Sequence, residues 1–296
     1  METNISISKK TTVGLLISTY NWPEALSLVL QSVFRQSRLP DEIIVADDGS
    51  SPETQRLVSE YASKSMILIK HIWQEDNGFR KSLILNKAMQ QSDADYIIEI
   101  DGDILLHDKF IEDHCRYAQV NSFVQGARVM IGEQETKDLL RTGKLRSFSF
   151  LAKGISNRFN SLRLPLLTNL MKNCKQEASN IKACNLAFWR RDFILVNGYN
   201  NQFEGWGCED AEFVARLLHA GIKKRRLKLA AICYHLYHSL SSKHNIVKNE
   251  EIYEATVKGQ SPICRNGYLQ VQKAAFSEPI NISLIEVQLP NPSIAS

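Results

Sequence analysis

The sequence predicts an α/β protein whose first hundred residues form a parallel β-sheet covered by helices. Short apolar runs alternate there with helical patterns, which is typical of βαβ units. The run at Tyr96–Ile100 is almost continuously apolar, as expected for a strand buried on both faces. With 296 residues, of which 44% are hydrophobic, the chain can bury a core that needs no disulfide or structural metal.

The predicted elements of this half are justified one by one. Strands fall on aliphatic and β-branched runs, and helices on the amphipathic or polar runs between them. In chain order they are a strand at Val13–Ser18, a helix at Glu24–Gln36, a strand at Glu42–Asp48, a helix at Pro52–Ser63, a strand at Met66–Ile72, a helix at Arg80–Gln91 and the strand at Tyr96–Ile100. Ligands of open α/β sheets bind beyond the carboxyl ends of the strands, so Ser18–Asn21, Asp47–Ser50 and Asp101–Asp103 should meet in one crevice.

Charge is unevenly distributed along the chain. The 36 Lys and Arg nearly balance the 32 Asp and Glu, which argues against nucleic acid as a partner. Between Lys137 and Lys175, however, nine bases stand against the single acid Asp138, interspersed with apolar and aromatic residues. This segment is predicted either to contact anionic lipid or to be a solvated surface. The cluster Lys223–Lys228, ahead of a predicted strand at Leu229–His235, has the same two interpretations.

The cysteines and the hydropathy of the chain predict a cytoplasmic protein. The six cysteines include no C-x-x-C pair, so we expect free thiols in a reducing compartment. Met1–Lys10 lacks the apolar core of a signal peptide, and no window is long and apolar enough to span a bilayer.

The D-G-D motif at Asp101–Asp103 follows the last predicted strand. Two carboxylates flanking a glycine can chelate a hard divalent cation and, through it, the phosphates of a nucleotide. Gly102 would let a bulky ligand approach the backbone. The alternative is an ordinary turn, because D-x-D is a common sequence.

Two further polar motifs follow strands on the same edge. In Asp47–Ser50, one aspartate can accept a hydrogen bond from a uracil N3–H or a ribose hydroxyl. Ser18, Tyr20 and Asn21 supply small polar groups and an aromatic plane for a base. A capped βα turn without any ligand is the alternative for Asp47–Ser50.

The motif G-W-G-C-E-D at Gly205–Asp210 precedes an amphipathic helix. Two glycines around Trp206 build a tight loop that presents an indole, a surface on which sugar rings stack. Glu209 and Asp210 follow directly, and a carboxylate is the usual general base for an alcohol nucleophile. The alternative is a pair of acids that only stabilise the N-terminus of the helix.

His235 and His238 are candidate ligands for the cation that Asp103 would hold. Mixed oxygen and nitrogen ligands suit Mn²⁺ better than Mg²⁺. A spacing of three on a strand directs the two rings to opposite faces, so one of them is expected to ligate, with His238 favoured. A histidine satisfied within the core is the alternative.

These motifs together resemble a known family. S-T-Y-N-W, I-V-A-D-D-G-S-S, D-G-D and G-W-G-C-E-D-A-E are similar to those of bacterial family 2 glycosyltransferases of the GT-A fold. The second half resembles the C-terminal part of β-1,4-galactosyltransferases and of chondroitin-type polymerases. The resemblance spans Val13 to Tyr268 and implies a Rossmann-like nucleotide-binding sheet with helices on both faces, fused to an acceptor-binding half.

The resemblance assigns donor-binding roles to individual residues. It implies that Tyr20 and Asp48 hold the uracil and ribose of a UDP-sugar. Arg80 would neutralise the diphosphate or fix the base, which suits a guanidinium that is always charged. Asp101 would face the ribose and the sugar.

The resemblance also assigns the metal and acceptor sides. Asp103 and His238 would bind the metal, and His235 falls where some relatives carry another ligand. Asp210 matches the catalytic base of the family. Glu209 matches an acid that binds the acceptor, and Trp206 matches a residue that forms the wall between donor and acceptor. Cys208 stands where the family usually has glycine, and the basic segment has no counterpart that aligns.

The function implied is inverting, metal-dependent transfer of a hexose or N-acetylhexosamine from a UDP-sugar to a hydroxyl of a cell-surface saccharide, lipopolysaccharide or capsule. Mn²⁺ (or Mg²⁺) is the expected cofactor, and galactose the first choice of sugar. Residues 1–105 would form the donor half, 106–250 the acceptor and catalytic half with a basic insertion at 137–175, and 251–296 a C-terminal helix and tail. The enzyme would lie in the cytoplasm, held peripherally on the inner face of the membrane by the basic segment.

Two rival functions remain open from the sequence. A sugar nucleotidyltransferase would share the fold, but that class has a glycine-rich, basic N-terminal loop that this chain lacks. A catalytically silent carbohydrate-binding protein would use Trp206 only to stack on sugar, which the several carboxylates argue against.

Overall fold

The computed structural model describes residues 11–168, 175–178, 181–239 and 245–277. The N-terminal ten residues, part of the basic segment (169–174) and the predicted tail (278–296) lie outside these ranges. Within them the strands are β1 Val13–Thr19, β2 Glu42–Asp47, β3 Leu68–Trp73, β4 Tyr96–Asp101, β5 Ile104–Leu106, β6 Ser122–Gly126, β7 Val129–Ile131, β8 Ile155–Ser156, β9 Leu186–Trp189, β10 Lys223–Leu227 and β11 Cys233–His235.

Helices alternate with these strands in the first half and dominate the C-terminal part. They are α1 Pro23–Val33, α2 Pro52–Lys64, α3 Lys81–Gln90, α4 Phe110–Tyr117, α5 Glu133–Thr142, α6 Pro165–Thr168, α7 Arg190–Leu195, α8 Glu209–His219, α9 Ile246–Gly259 and α10 Tyr268–Ser277. All seven elements predicted for the first hundred residues are confirmed, with ends that differ by at most three residues. None of the helices in the described ranges is long and apolar enough to cross a bilayer.

The described strands form two sheets. The larger has the order β10-β6-β9-β4-β1-β2-β3, in which β1 to β4 run parallel to one another. Its register pairs Ser18 with Asp101 and Thr19 with Asp47. The strand ends that carry the polar motifs therefore lie side by side, which confirms that these motifs meet at one edge of the sheet.

The smaller sheet brings the second half of the chain to the same edge. Its order is β5-β11-β7-β8, with β11 antiparallel to β5 and parallel to β7. His235 pairs with Ile104, and the backbone N–H of Leu236 donates to the carbonyl of Asp103 at 3.0 Å. A segment from the C-terminal half is thereby fixed beside the D-G-D motif.

The strand prediction at Leu229–His235 is wrong in its first half. Leu229 and Ala231 have φ of 62° and 47°, which no strand accommodates, so β11 begins at Cys233. The preceding basic cluster forms the strand instead, as β10 at the edge of the large sheet. Charged side chains on an edge strand oppose unwanted pairing with other chains. Lys224 is buried, and its Nζ donates to the carbonyl of Glu177 at 3.0 Å.

The core has two clusters, one on each face of the large sheet, and both contain residues from the two predicted halves. The division at residue 105 stays a prediction. The described cysteines Cys115, Cys184, Cys208, Cys233 and Cys264 are free thiols, as expected.

Candidate active site

Asp47 and Asp48 follow β2 but differ in their surroundings. Asp47 is fully buried; its carboxylate lies 2.9 Å from His71 Nε2 and accepts a hydrogen bond from the backbone N–H of Ser50 at 2.8 Å. Asp48 instead accepts from Gln74 Nε2 at 2.6 Å and from the N–H of Arg80 at 2.7 Å. Burial raises the pKa of Asp48. Asp47 thus shapes the turn, and Asp48 links two strand-end loops.

Tyr20 and Arg80 border the predicted nucleotide side. The Tyr20 hydroxyl donates to Asp76 at 2.9 Å, and about half of the side chain is exposed. Arg80 Nη2 donates to the carbonyl of Glu75 at 2.6 Å, and its buried Nε has no partner among the described residues. Both side chains therefore contact the loop after β3, Tyr20 from the end of β1 and Arg80 from the start of α3.

Asp101 is held by two donors, of which the sequence analysis found one. Ser18 Oγ donates to Asp101 Oδ1 at 2.9 Å, and Lys81 Nζ donates to the same oxygen at 2.7 Å. Burial alone would raise the pKa of Asp101, but the charge and hydrogen bond of Lys81 lower it. Lys81 was missed by sequence reasoning; its signal is a cation in the first turn of α3, where the helix dipole disfavours positive charge.

Gly102 is required by packing on β1. Its N–H donates to the carbonyl of Ser18 at 2.7 Å, and a Cβ at this position would lie 2.9 Å from Thr19 Oγ1. The close approach that explains this glycine is thus to the end of β1.

Lys81 is the counter-charge of a buried acidic cluster. Burial would lower its pKa, but Asp101, Asp210, Glu99 and Glu209 raise it well above the usual value. Burial raises the pKa of Glu99 to about 8 and, with Asp210 nearby, that of Glu209 to about 7. The acids after β4 and at the start of α8 therefore share one electrostatic environment, although they lie far apart in sequence.

Asp103, His235 and His238 form a three-residue cluster. The Nε2 atoms of His235 and His238 lie 3.5 and 3.3 Å from Asp103 Oδ2, and one ligand atom of each residue lies within 4.8 Å of the others. The expectation that the rings point to opposite faces is wrong, because β11 ends at His235 and the chain leaves strand geometry before His238.

Burial governs the protonation of this cluster, and a cation would have to displace the proton that burial favours on Asp103. Burial and the neighbouring Asp101 raise the pKa of Asp103 to about 7, and its buried Oδ1 has no partner among the described residues. Burial and Arg128 lower the pKa of His235 to about 4, so its ring is neutral. His238 Nδ1 lies 2.7 Å from the carbonyl of Ser239, which only accepts, so Nδ1 is the donor and Nε2 is the nitrogen that faces Asp103.

The G-W-G loop is a rigid turn ahead of α8. Gly205, Gly207 and Cys208 have φ of 75°, 120° and 68°. The N–H of Gly205 donates to the carbonyl of Phe79 at 2.9 Å. A Cβ on Gly207 would clash with Ile246 of α9. The loop leaves Trp206 42% exposed, as stacking on a sugar would require.

Glu209 and Asp210 differ in the hydrogen bonds that their carboxylates accept. Glu209 is buried, and its Oε2 accepts from the N–H of Gly207 at 2.9 Å, a contact with the G-W-G loop and not a cap on the helix N–H groups. Asp210 Oδ2 accepts from the N–H of Ala183 at 3.0 Å, while its buried Oδ1 has no partner among the described residues. Burial raises the pKa of Asp210, which strengthens it as a base. One oxygen is thus anchored and the other is available.

The fold is an α/β sheet with a cluster of acids and histidines at one edge, and comparison with known proteins gives the family. The family model described as "Glycosyl transferase family 2" matches residues 15–191, so the chain belongs to this family of glycosyltransferases. A second model, described as the N-terminal domain of galactosyltransferase, matches residues 166–239. The predicted family and enzyme class are confirmed.

The matched relatives are longer proteins. Chondroitin synthase of Escherichia coli is 25% identical over 249 residues, which cover 75% of this chain and 34% of that protein. Hyaluronan synthase of Pasteurella multocida is 27% identical over 71% of this chain and 23% of its own length. Validoxylamine A glucosyltransferase of Streptomyces hygroscopicus subsp. limoneus is 26% identical, over 71% and 48% respectively. The chain thus spans about a quarter to a half of the length of these relatives.

Solved structures confirm the GT-A fold. TarS residues 1–349 of Staphylococcus aureus, in complex with UDP, superposes with a TM-score of 0.58 and 14% identity, covering 91% of this chain and 73% of that one. The same fragment with UDP-GlcNAc has a TM-score of 0.57 at 13% identity, over 89% of this chain and 70% of the other.

Proposed function

We propose that this protein is an inverting, metal-dependent glycosyltransferase that moves a sugar from a UDP donor to a hydroxyl of a saccharide. The observation that carries the proposal is the convergence of the Asp103–His235–His238 cluster and the Glu209–Asp210 pair on the crevice of a family 2 fold. UDP in the TarS complex supports the choice of nucleotide. Residues 1–105 would form the donor half, and 106–250 the acceptor half.

The donor set of the cluster fits a divalent cation such as Mn²⁺. One carboxylate and two imidazoles, with a buried Asp103 Oδ1 that has no partner among the described residues, form a mixed oxygen and nitrogen ligand set of the kind Mn²⁺ accepts. When bound, such an ion would offset the negative charge of a departing diphosphate. Asp103, His235 and His238 would hold it.

Asp210 would act as the general base. Ala183 fixes one carboxylate oxygen, so the other can accept the proton of the acceptor hydroxyl without reorientation. Trp206 would provide an apolar wall for the acceptor sugar, and Glu209 would keep the loop that carries it in place. Asp48 and Tyr20 would hold the ribose and uracil, Asp101 the ribose and the donated sugar, and Arg80 the diphosphate or the base.

Galactose is our first choice of donated sugar, supported by the galactosyltransferase model that matches the second half. The acceptor would be a surface polysaccharide such as lipopolysaccharide or capsule, in keeping with chondroitin and hyaluronan synthases among the relatives. Release of UDP from a panel of UDP-sugars, with and without Mn²⁺, would identify the donor.

The basic segment would hold the enzyme on an anionic membrane. Several of its bases are already paired: Lys137 with Glu133, Arg141 with Asp138, and Arg163 with the buried Asp113. Lys144 and Lys153 are exposed, and so are the apolar side chains Leu151 and Phe159 of the same segment. This reduced set combines positive charge with apolar groups, the composition of an interfacial surface.

Asp210→Asn tests the proposed base. We expect transfer to fall by about 10²-fold or more, because general bases contribute on that order, while calorimetry finds UDP affinity nearly unchanged. Asp138→Asn, on the exposed face of α5, is the matched control. Near-normal transfer by the Asp210 variant would refute its role, and absence of UDP binding by the wild-type protein with Mn²⁺ would refute the proposed function.

A further inference from the structure

Arg128 is a cation beside the metal cluster that no motif predicted. It lies directly before β7, whose register pairs Met130 with His235 of β11. After burial itself, the charge of Arg128 is the largest influence that lowers the pKa of His235. It also counteracts the raised pKa of Asp103. Arg128 therefore belongs to the same electrostatic site as the cluster.

The guanidinium of Arg128 has few partners among the residues that the structure describes. In the described part of the chain, its Nη1 donates to Cys184 Sγ at 3.2 Å. A guanidinium has five N–H donors, and a thiol is a weak acceptor. The side chain is half-buried, and no carboxylate among the described residues pairs with it. Lys81, by contrast, is paired with a carboxylate, Asp101, at 2.7 Å.

The backbone holds Arg128 in a fixed position. Asn185, which is buried, donates from Nδ2 to the carbonyl of Ala127 at 2.9 Å. It also packs so closely on Gly126 that a Cβ there would clash with its amide. Asn160 Nδ2 donates to the carbonyl of Arg128 itself at 2.8 Å. These contacts fix the backbone from which the Arg128 side chain extends, which reduces the entropy lost when the guanidinium binds a ligand.

The position of Arg128 indicates which ligand it meets. Its partner Cys184 follows Ala183, whose N–H anchors Asp210. The guanidinium thus lies near both the Asp103–His235–His238 cluster and the segment that supports Asp210. A guanidinium fork matches phosphate oxygens and makes charge-assisted hydrogen bonds with them.

We propose that Arg128 binds the β-phosphate of the nucleotide donor and stabilises the charge that develops there as UDP leaves. This inference rests on the proposed function and adds a residue to it. The mechanism is electrostatic stabilisation by a preorganised donor, which needs no further co-reactant.

Binding of UDP and UMP to the full chain with Mn²⁺, measured by calorimetry, tests the proposal. UMP lacks the β-phosphate, so Arg128→Gln should weaken UDP binding by about tenfold or more, as loss of a charge-assisted contact implies, and leave UMP binding within about twofold. Arg141→Gln removes an Arg that is 75% exposed on α5 and is the control for net charge. Arg128→Lys retains the positive charge but lacks the planar guanidinium, so its affinity for UDP should lie between that of the wild type and that of the Gln variant.

Each outcome is decisive. Unchanged UDP binding by the Gln variant overturns the assignment, as expected if Arg128 instead recognises an acidic acceptor. An equal loss for UDP and UMP overturns it as well, because it indicates a general effect on the site. If Arg128→Gln fails to fold, as shown by its melting transition, the UDP-to-UMP affinity ratio of Arg128→Lys decides in its place. Wild-type protein that binds neither nucleotide refutes the donor site itself.

Discussion

Lys81 shows how one residue can organise several acids. It donates to Asp101, and its side chain is only 11% exposed while that of Asp101 is 30% exposed. Removing one partner of a buried ion pair leaves the other charge uncompensated, here with Glu99 and Asp210 nearby.

We therefore expect Lys81→Met to lower the free energy of unfolding by about 3 kcal/mol and to reduce donor turnover at least tenfold. Lys81→Arg should recover part of both. Urea denaturation at neutral pH measures the first quantity, and UDP release the second. A Met variant as stable as wild type would show that the acids do not depend on this cation.

Glu99 gives a prediction about pH and stability. Burial raises its pKa to about 8 from the usual 4.5, so the folded protein retains a proton that the unfolded chain releases. The stability contributed by this group is complete below pH 4.5 and is lost as the pH rises through about 8. Tyr199 donates to Oε2 at 2.8 Å, a bond that a glutamine can keep.

Glu99→Gln should therefore flatten the dependence of unfolding free energy on pH between 5 and 8, by up to about 1.4 kcal/mol per pH unit. Denaturant curves at four pH values, with wild type alongside, measure the effect. Parallel profiles for the two proteins would contradict the assigned pKa.

At this scale the sequence predicted the residues that stand in motifs. Asp101, Asp103, Glu209 and Asp210 follow strands or precede a helix in recognisable patterns. Lys81, Arg128 and Glu99 are single charged residues whose meaning depends on neighbours far away in the chain. For Glu99 the only signal was a carboxylate within an otherwise apolar strand.

Helices and strands were predicted well where hydrophobic periodicity determines the backbone conformation, and poorly where contacts between distant residues determine it. The parallel strands bury apolar side chains on both faces, which leaves little ambiguity. β10 reads as a charged surface run, and its strand geometry comes from pairing with β6. The carbonyl of Ala231 is held by Asn185 and its N–H by Asp113, and these distant contacts stabilise a backbone conformation that propensity does not predict.

Cys208, in the turn before α8, has a strained backbone conformation whose energetic cost can be measured. Cys208 adopts a φ of 68°, where a side chain costs about 1 kcal/mol relative to glycine. Cys208→Gly should raise the melting temperature slightly, by an amount corresponding to about 0.5 kcal/mol after the entropy of glycine is deducted. Gly207→Ala is the opposite case, because its φ of 120° and the contact with Ile246 exclude a side chain. A lower melting temperature for Cys208→Gly would show that the thiol contributes more than the strain costs.

The molecule as a whole has a small net charge, but its acids and bases are concentrated in different regions. Acids gather around the crevice, and unpaired bases lie in the basic segment. We expect the protein to sediment with vesicles containing anionic phosphatidylglycerol at low salt, at about 1 kcal/mol for each base near the surface. The double variant Lys144→Glu and Lys153→Glu should lose this binding, as should Leu151→Ser with Phe159→Ser.

Matched controls lie outside the segment. Lys64→Glu removes a base that is 70% exposed on α2, and Met66→Ser an apolar side chain that is 95% exposed. Both should leave sedimentation unchanged. Equal binding by all variants would show that the basic segment is a solvated surface and does not bind the membrane.

The placement of Asp103 and the two histidines also links cation binding to folding. The cluster joins β5 to the end of β11, so a cation there would close the long stretch of chain between them into a loop. A ligand that binds only the folded state stabilises it by RT ln(1 + [L]/Kd). An ion that binds the diphosphate of the donor would thus also stabilise the folded chain. Each tenfold rise of its concentration above Kd would add about 1.4 kcal/mol to the free energy of unfolding.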